Sequence, residues 1–396
     1  MQGIQASEIR ELLKVADAPG VISFGGGIPD PTLFPTESMA DAMTAILSDP
    51  VRGPQALQYS VSEGDPALRA WIAARSTAEG APCTADNVLI TAGAQQGLDF
   101  LGRLLIDRGD AILTEWPTYL GALQAFAPNG PRPVELGGGN WMGEGIGDGP
   151  AAFAYVVPDF ANPTGATMPE TARDHLLAVA QTHDFPVIED NPYGALRFEG
   201  IASASLLARD IARCGHVDSS RVMQLGSFSK ILSPGLRVGW VIAARSVIDR
   251  LVLMKQASDL NAPRLNQLAA LALVENGLTA QIDRARDSYG RKRDAMLSAL
   301  LRHMPPGVSW NRPEGGMFLW LTLPDGTDTT ALLPHAIEAG VAYVPGAAFF
   351  PNRDVTNCLR LSYSLPAIPE IEEGIARLGR VLGQHHAQND HHQADG

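Results

Sequence analysis

Apolar residues fall along this chain in two rhythms. From residue 87 to residue 243, short runs recur in which nearly every position is hydrophobic. They are NVLIT (87–91), AILTE (111–115), AYVVP (154–158), PVIED (186–190), RVMQLGS (221–227) and GWVIA (239–243). Each has the length of a strand, and the lack of polar alternation predicts a sheet covered on both faces. Between the runs the spacing becomes helical. Leu98, Leu101, Leu104 and Leu105 return on one side of a helix after NVLIT. Pro169 stands where another helix can begin, with Glu170 behind it and Leu176, Leu177 and Val179 beyond. This alternation predicts an α/β fold, doubly wound around a mainly parallel sheet.

From about residue 285 the pattern changes. A long charged helix (285–303) precedes MFLWLTL (317–323), a second helix (330–339) and CLRLSYS (358–364). These elements read as a smaller α+β domain completed by the N-terminal arm. The expected division is an arm over 1–45, a large domain over 46–284, a small domain over 285–383 and a disordered tail over 384–396. The tail QHHAQNDHHQADG holds four of the nine histidines, and its polarity reads as solvation rather than metal binding.

Composition narrows the function classes. A chain of 396 residues, 45% hydrophobic and 18% charged, suits a soluble enzyme with one large and one smaller core. Its net charge of −13 argues against nucleic acid as a partner, because phosphate backbones need basic patches. It leaves small acidic substrates open, since one or two arginines bind those locally. Cys83, Cys214 and Cys358 are too scattered for a disulfide framework or a CxxC site, and read as thiols in a reducing compartment. The N-terminal stretch MQGIQASEIRELLKVADAPG is amphipathic without an apolar signal core. No run approaches the roughly 18 apolar residues of a membrane span. The expected location is the cytoplasm, with no membrane partner.

Five segments carry candidate chemistry. In GSFSKILSPGLRVGW (226–240), Lys230 follows Ser227 and Ser229 and precedes Arg237. An aldehyde bearing a phosphate needs an amine for an imine, hydroxyls for its phosphate and a guanidinium for its charge. EDNPYG (189–194) ends a strand and brings Asp190 and Tyr193 within one turn. A carboxylate beside a pyridine nitrogen keeps that nitrogen protonated, and a phenol can donate to the ring's 3′-oxygen. PDFANPTG (158–165) offers the Asn162 amide after another strand. TAGAQQGLDF (91–100) opens a helix at Gly93, leaving the Ala94 and Gln95 amides at an anion-binding terminus. CLRLSYS sets Arg360 in an apolar strand, where burying it is costly unless an anion pairs with it. Each motif alone has a plainer reading: a surface lysine, a capping aspartate, a bare turn or a structural salt bridge. No dinucleotide fingerprint and no P-loop occurs. Gly25–Gly27 and Gly137–Gly139 read as flexible loops.

Taken in order, these motifs resemble the fold-type I aminotransferases dependent on pyridoxal 5′-phosphate (PLP), the class I/II aspartate aminotransferase superfamily. The wording is most similar to the branch containing 2-aminoadipate and kynurenine aminotransferases. The resemblance runs from ISFGGGIPDPTLFP (22–35) to LRLSYS (359–364). It implies that Lys230 holds the cofactor as a Schiff base and then shuttles a proton. Asp190 faces the pyridine nitrogen, with Asn162 and Tyr193 at the 3′-oxygen. Ala94, Gln95, Ser227, Ser229 and Arg237 contact the phosphate, and Tyr119 of EWPTYLGAL (115–123) stacks on the ring. Arg360 clamps the substrate carboxylate, with Asn162 and Gly26 on the substrate side. It further implies a homodimer with shared active sites, in which Tyr59 of LQYSVSEGDPALR (57–69) reaches the neighbouring subunit's phosphate.

The substrates implied are an amino acid and a 2-oxo acid, with 2-oxoglutarate as the expected acceptor. Trp116 before Pro117 and the short, glycine-rich stretch from Pro133 to Tyr155 depart from the family pattern. No second arginine stands out for a dicarboxylate side chain. Trp116 and Tyr119 favour aromatic or bulky apolar donors. A β-eliminating lyase, a cyclase or an oxidase would use the same residues, and ammonia rather than glutamate would mark an elimination. A PLP-dependent transcription regulator is the remaining alternative. Against it stand the net charge and the lack of an N-terminal DNA-binding extension.

Overall fold

The computed structural model describes residues 20–136 and 151–394. Gly137–Gly139 and most of the glycine-rich stretch lie outside them. The six apolar runs form Val88–Thr91, Ala111–Thr114, Ala151–Val156, Val187–Asp190, Val222–Ser227 and Gly239–Ile242. A seventh strand, Arg132–Glu135, was not legible in the pattern. It lies at the sheet edge beside Ala111–Thr114, where a proline and charged residues are tolerated.

Across the sheet the order is Val88–Thr91, Gly239–Ile242, Val222–Ser227, Val187–Asp190, Ala151–Val156, Ala111–Thr114, Arg132–Glu135. Gly239–Ile242 runs antiparallel to both neighbours and every other pairing is parallel. The remaining strands therefore all end on one edge, and in such a sheet the crevice beyond those ends receives the ligand. The segments after Thr91, Thr114, Val156, Asp190 and Ser227 all open there, and they carry the candidate residues.

The helices Ala94–Leu105 and Leu206–Cys214 pack on the strand Val222–Ser227. Leu98 and Leu101 are buried, and Leu104 and Leu105 pack at the margin of the same core. Gly97 sets how close its helix comes, because a Cβ there would stand 2.5 Å from Leu225 Cδ2. Pro169 takes the N-cap position of the helix Glu170–Thr182.

The second region begins inside a single 40-residue helix, Arg264–His303. The expected boundary at 284/285 falls within it. Beyond it a four-stranded antiparallel sheet has the order Val344–Pro345, Cys358–Ser362, Phe318–Thr322, Ser309–Trp310. The helix Thr329–Glu338 begins where Asp328 Oδ1 accepts from the amides of Thr330 (2.8 Å) and Ala331 (3.1 Å). Ile22–Ser23 pairs in parallel with Val341–Ala342, so the N-terminal segment joins this region. It then passes Ser362, whose amide donates to Phe24 O at 2.8 Å, and enters the crevice as Gly25–Gly27.

The polar segment from Gln384, expected as a disordered tail, instead continues the helix Ile368–Ala394. Polarity indicated solvation but not conformation. No proline or glycine interrupts Gln384–Ala394, so an established helix can propagate. No helix among the described residues is long and apolar enough to cross a membrane.

Candidate active site

A cavity of about 490 Å³ lies at the strand ends. Lys230 reaches it because the strand Val222–Ser227 ends in a serine turn. Ser229 N donates to Ser227 Oγ at 3.1 Å, and the two hydroxyls bond at 2.9 Å. The Lys230 amine donates to Gly27 O at 2.9 Å. Burial, together with the guanidiniums of Arg360 and Arg237, pulls its pKa down to about 8.

That shift has a measurable sign. The amine is protonated below about pH 8 and nucleophilic above it. In the apoprotein, carbamylation of Lys230 by cyanate is expected to quicken about tenfold per pH unit up to that point and then level. Peptide mass spectrometry reads the rate at this one residue. A rise continuing to about 10.5, the ordinary lysine value, would contradict the burial argument.

An anion cradle adjoins the amine. Arg237 adopts a left-handed backbone at φ +52°, unusual for a long side chain, and its Nη2 donates to Ala92 O at 3.1 Å. Its guanidinium lies against Gly93, where a Cβ would stand 2.4 Å from Nη2. Gly93 caps the helix Ala94–Leu105 at φ +80° and offers no side-chain acceptor, so the first helical amides face outward. Gln95 Nε2 donates to Gly121 O at 2.7 Å, which fixes this turn against the next loop. Ala94, Gln95, Ser227, Ser229 and Arg237 all line the cavity. Amides, hydroxyls and a guanidinium suit a phosphate group.

Asp190 ends the strand Val187–Asp190 and is only 3% exposed. Its Oδ2 accepts from Tyr155 Oη at 2.8 Å, while Oδ1 is buried with no hydrogen-bond partner among the described residues. Burial pushes the carboxyl up to about 6, and the Tyr155 bond pulls against that rise. A bare buried carboxylate oxygen costs roughly 1–3 kcal/mol, so a donor belongs in front of Oδ1. The protonated nitrogen of a pyridine ring fits that place. Tyr193 is buried edge-on against Phe318, with ring centroids 5.7 Å apart. Burial, with Tyr119 and Asp190 nearby, raises its pKa, so the phenol keeps its proton and can donate. The amine, anion cradle, bare carboxylate oxygen and phenol together fit PLP.

Arg360 is 3% exposed in the strand Cys358–Ser362. Its Nη1 donates to Asn162 Oδ1 at 2.7 Å and its Nη2 to Gly25 O. The guanidinium lies 4.5 Å from the Phe318 ring centroid and 5.2 Å from that of Phe349. Burial pulls it down to about 10. These two acceptors are uncharged, and Nε is buried without a partner among the described residues. An anionic group is still wanted there.

Of the expected residues, Lys230, Asp190, Asn162, Tyr193, Ala94, Gln95, Tyr119, Ser227, Ser229, Arg237 and Arg360 converge on this cavity. Gly26 does not line it; Gly25 and Gly27 do, and their carbonyls take the bonds from Arg360 and Lys230. Tyr59 is 76% exposed and outside the cavity. Trp116 is also outside the lining, its indole donating to Thr114 Oγ1 at 3.1 Å. Sequence reasoning missed Tyr155, Phe318, Phe349 and Glu115. Glu115 Oε2 accepts from Val157 N at 2.8 Å, and burial pushes this carboxyl up to about 8. The available signal was a phenol and a carboxylate inside otherwise aliphatic runs.

Comparison with known proteins agrees with this chemistry. Residues 155–378 match the family model for aminotransferase class I and II. The chain is 42% identical to 2-aminoadipate transaminase of Thermus thermophilus, over 96% of this chain and 94% of that one. It is 41% identical to aromatic-amino-acid aminotransferase 1 of Thermococcus litoralis, over 96% and 92%. Among solved structures, it superposes on the α-aminoadipate aminotransferase LysN of Thermus thermophilus, complexed with N-(5′-phosphopyridoxyl)-L-leucine. That match has a TM-score of 0.88 and 41% identity, and it covers 97% of this chain and 96% of the other. The amine, the anion cradle and the bare carboxylate oxygen thus have a common explanation: the chain belongs to the class I and II aminotransferases, as a PLP-dependent transaminase of fold type I.

Proposed function

We propose that this transaminase takes the α-amino group of an L-amino acid with an aromatic or bulky apolar side chain and passes it to 2-oxoglutarate. The observation that carries the reading is the charge pattern of the cavity. Among the described residues its lining cations are Lys230, Arg237 and Arg360, and the first two would be engaged by the cofactor. Arg360 is then the cation left for the α-carboxylate. Leu98, Tyr119, Leu120 and Phe349 supply an apolar wall for the side chain.

Bound PLP supplies the aldehyde that receives the amino group and the ring that accepts the electron pair. The chain's own groups do the rest. Lys230 would hold the cofactor through its amine, and the same amine is the base placed to take up and give back the α-proton of the substrate. Asp190 would keep the ring nitrogen protonated, and Tyr193 and Asn162 would serve the 3′-oxygen. Ser227, Ser229, Arg237 and the Ala94 and Gln95 amides would hold the phosphate, with Tyr119 placed to pack on the ring.

The same reading includes a cytoplasmic homodimer. Val51, Leu57, Tyr59 and Val61 are exposed within one short segment, which suits burial against a second copy. Tyr59 would then reach the partner's phosphate site. A second donor class, amino acids with an acidic side chain, is favoured by the 42% identity to the Thermus 2-aminoadipate transaminase.

A half-reaction panel decides between them. Holoenzyme is mixed with single amino acids while cofactor absorbance is followed and the products are identified. Phenylalanine, tyrosine or leucine is expected to bleach the band and yield its 2-oxo acid, and 2-oxoglutarate to restore it. Bleaching by 2-aminoadipate alone would select the acidic class. Release of ammonia would overturn transamination of the amino acid tested.

A further inference from the structure

One buried group beside the site, the Tyr155 phenol, neither binds substrate nor lines the cavity. Tyr155 is fully buried in the middle of the sheet, paired in register with Thr114 on one side and Ile188 on the other. Its ring packs edge-on against Phe126 at 5.7 Å. A phenylalanine would serve that packing equally well, and the strand is otherwise apolar. Yet the hydroxyl is present, and it points at Asp190 Oδ2 from 2.8 Å.

The direction of this bond is fixed by its surroundings. Burial disfavours a phenolate at Tyr155 most, and the ionisable groups facing it, Asp190, Tyr119 and Glu115, add to the same effect. Tyr155 therefore stays protonated and donates, and Asp190 accepts. Glu115 holds the amide of Val157, two residues beyond Tyr155, which fixes the end of the strand. The bond occupies one carboxylate oxygen and leaves the other bare.

We propose that Tyr155 is a positioning residue for transamination, donating to Asp190 Oδ2 so that Asp190 stays a carboxylate with Oδ1 aimed at the ring nitrogen. The inference rests on the reading that Asp190 faces that nitrogen. A donor on the far oxygen stabilises the ion pair of carboxylate and protonated ring over the neutral pair in which the proton sits on Asp190. Without it the ring loses its proton more readily and becomes a poorer electron acceptor.

The test uses holoenzyme reconstituted with cofactor labelled with ¹⁵N at the ring nitrogen, whose resonance separates protonated from unprotonated rings. Wild type is expected in the protonated range. In Tyr155→Phe the resonance should move towards the unprotonated value, with the rate of α-proton removal about tenfold lower, the equivalent of one pK unit. An unchanged resonance in Tyr155→Phe would overturn the proposal and leave Tyr155 as packing. Asp190→Asn separates the two claims. If it moves the resonance and Tyr155→Phe does not, only the inference about Tyr155 falls. If Asp190→Asn leaves the resonance at its wild-type position, the placement of Asp190 falls with it. Should Tyr155→Phe not retain cofactor, 3-fluorotyrosine at position 155 keeps the shape and strengthens the donor. The pH at which the resonance leaves the protonated range should then rise, and an unchanged pH overturns the proposal.

Discussion

Replacing Lys230 by alanine is expected to lower turnover by at least about 10⁴-fold, the upper range for losing one positioned acid–base group. In the proposed function Lys230 would do two things, hold the aldehyde carbon and carry the α-proton. It is the only lysine lining the cavity among the described residues, so no neighbouring amine can take over. The loss should be chemical rather than structural. Its amine bonds Gly27 O, and no acid pairs with it among the described residues, so truncation leaves no buried charge behind. The anion cradle is built from Ser227, Ser229, Arg237 and the Ala94–Gln95 amides, none of which needs Lys230. The Lys230→Ala protein should therefore fold and still bind the phosphate-bearing cofactor non-covalently. Single-turnover kinetics with the best donor amino acid, beside cofactor content after gel filtration, checks both parts. Turnover within tenfold of wild type would sink the assignment of Lys230.

Most of this site could be read before any coordinates, for a physical reason. Strands buried on both faces must be apolar throughout, so six of the seven large-sheet strands stand out as largely apolar runs. Reactive groups placed directly after such runs fall on one edge by topology alone. Lys230, Asp190 and Asn162 were legible in that way. Arg132–Glu135 was not, because its arginine, proline and glutamate break any apolar run and it takes its place from its neighbour's hydrogen bonds. The helix through Ala394 escaped notice because polar composition says where a segment sits, not how its backbone turns. Gly26 lies between the two lining glycines, Gly25 and Gly27, whose carbonyls take the bonds from Arg360 and Lys230, and the three look alike in sequence. A phenol inside an apolar run marked Tyr155 as unusual, but its bond to Asp190 joins separate strands, so its partner was not legible. Nothing in AYVVP indicates which residue lies across the sheet.

Arg360 is where the second large effect is expected. Arg360→Leu should lower kcat/KM for amino acids by about 10²–10³-fold, in keeping with roughly 3–4 kcal/mol for truncating one side of a buried charge pair. The geometry favours a planar cation. Phe318 and Phe349 lie 4.5 Å and 5.2 Å from its guanidinium carbon, a slot that suits a flat guanidinium better than a tetrahedral ammonium. Asn162 and Gly25 orient the fork without neutralising it. Arg360→Lys should therefore recover only part of the loss, because it restores charge but not two parallel donors. The decisive comparison is between an amino acid and the amine formed by removing its carboxylate. Wild type should prefer the amino acid strongly, and Arg360→Leu should erase most of that preference while binding cofactor normally. If the preference survives the substitution, the carboxylate is held elsewhere, and the buried cation between two phenyl rings serves the fold rather than the substrate.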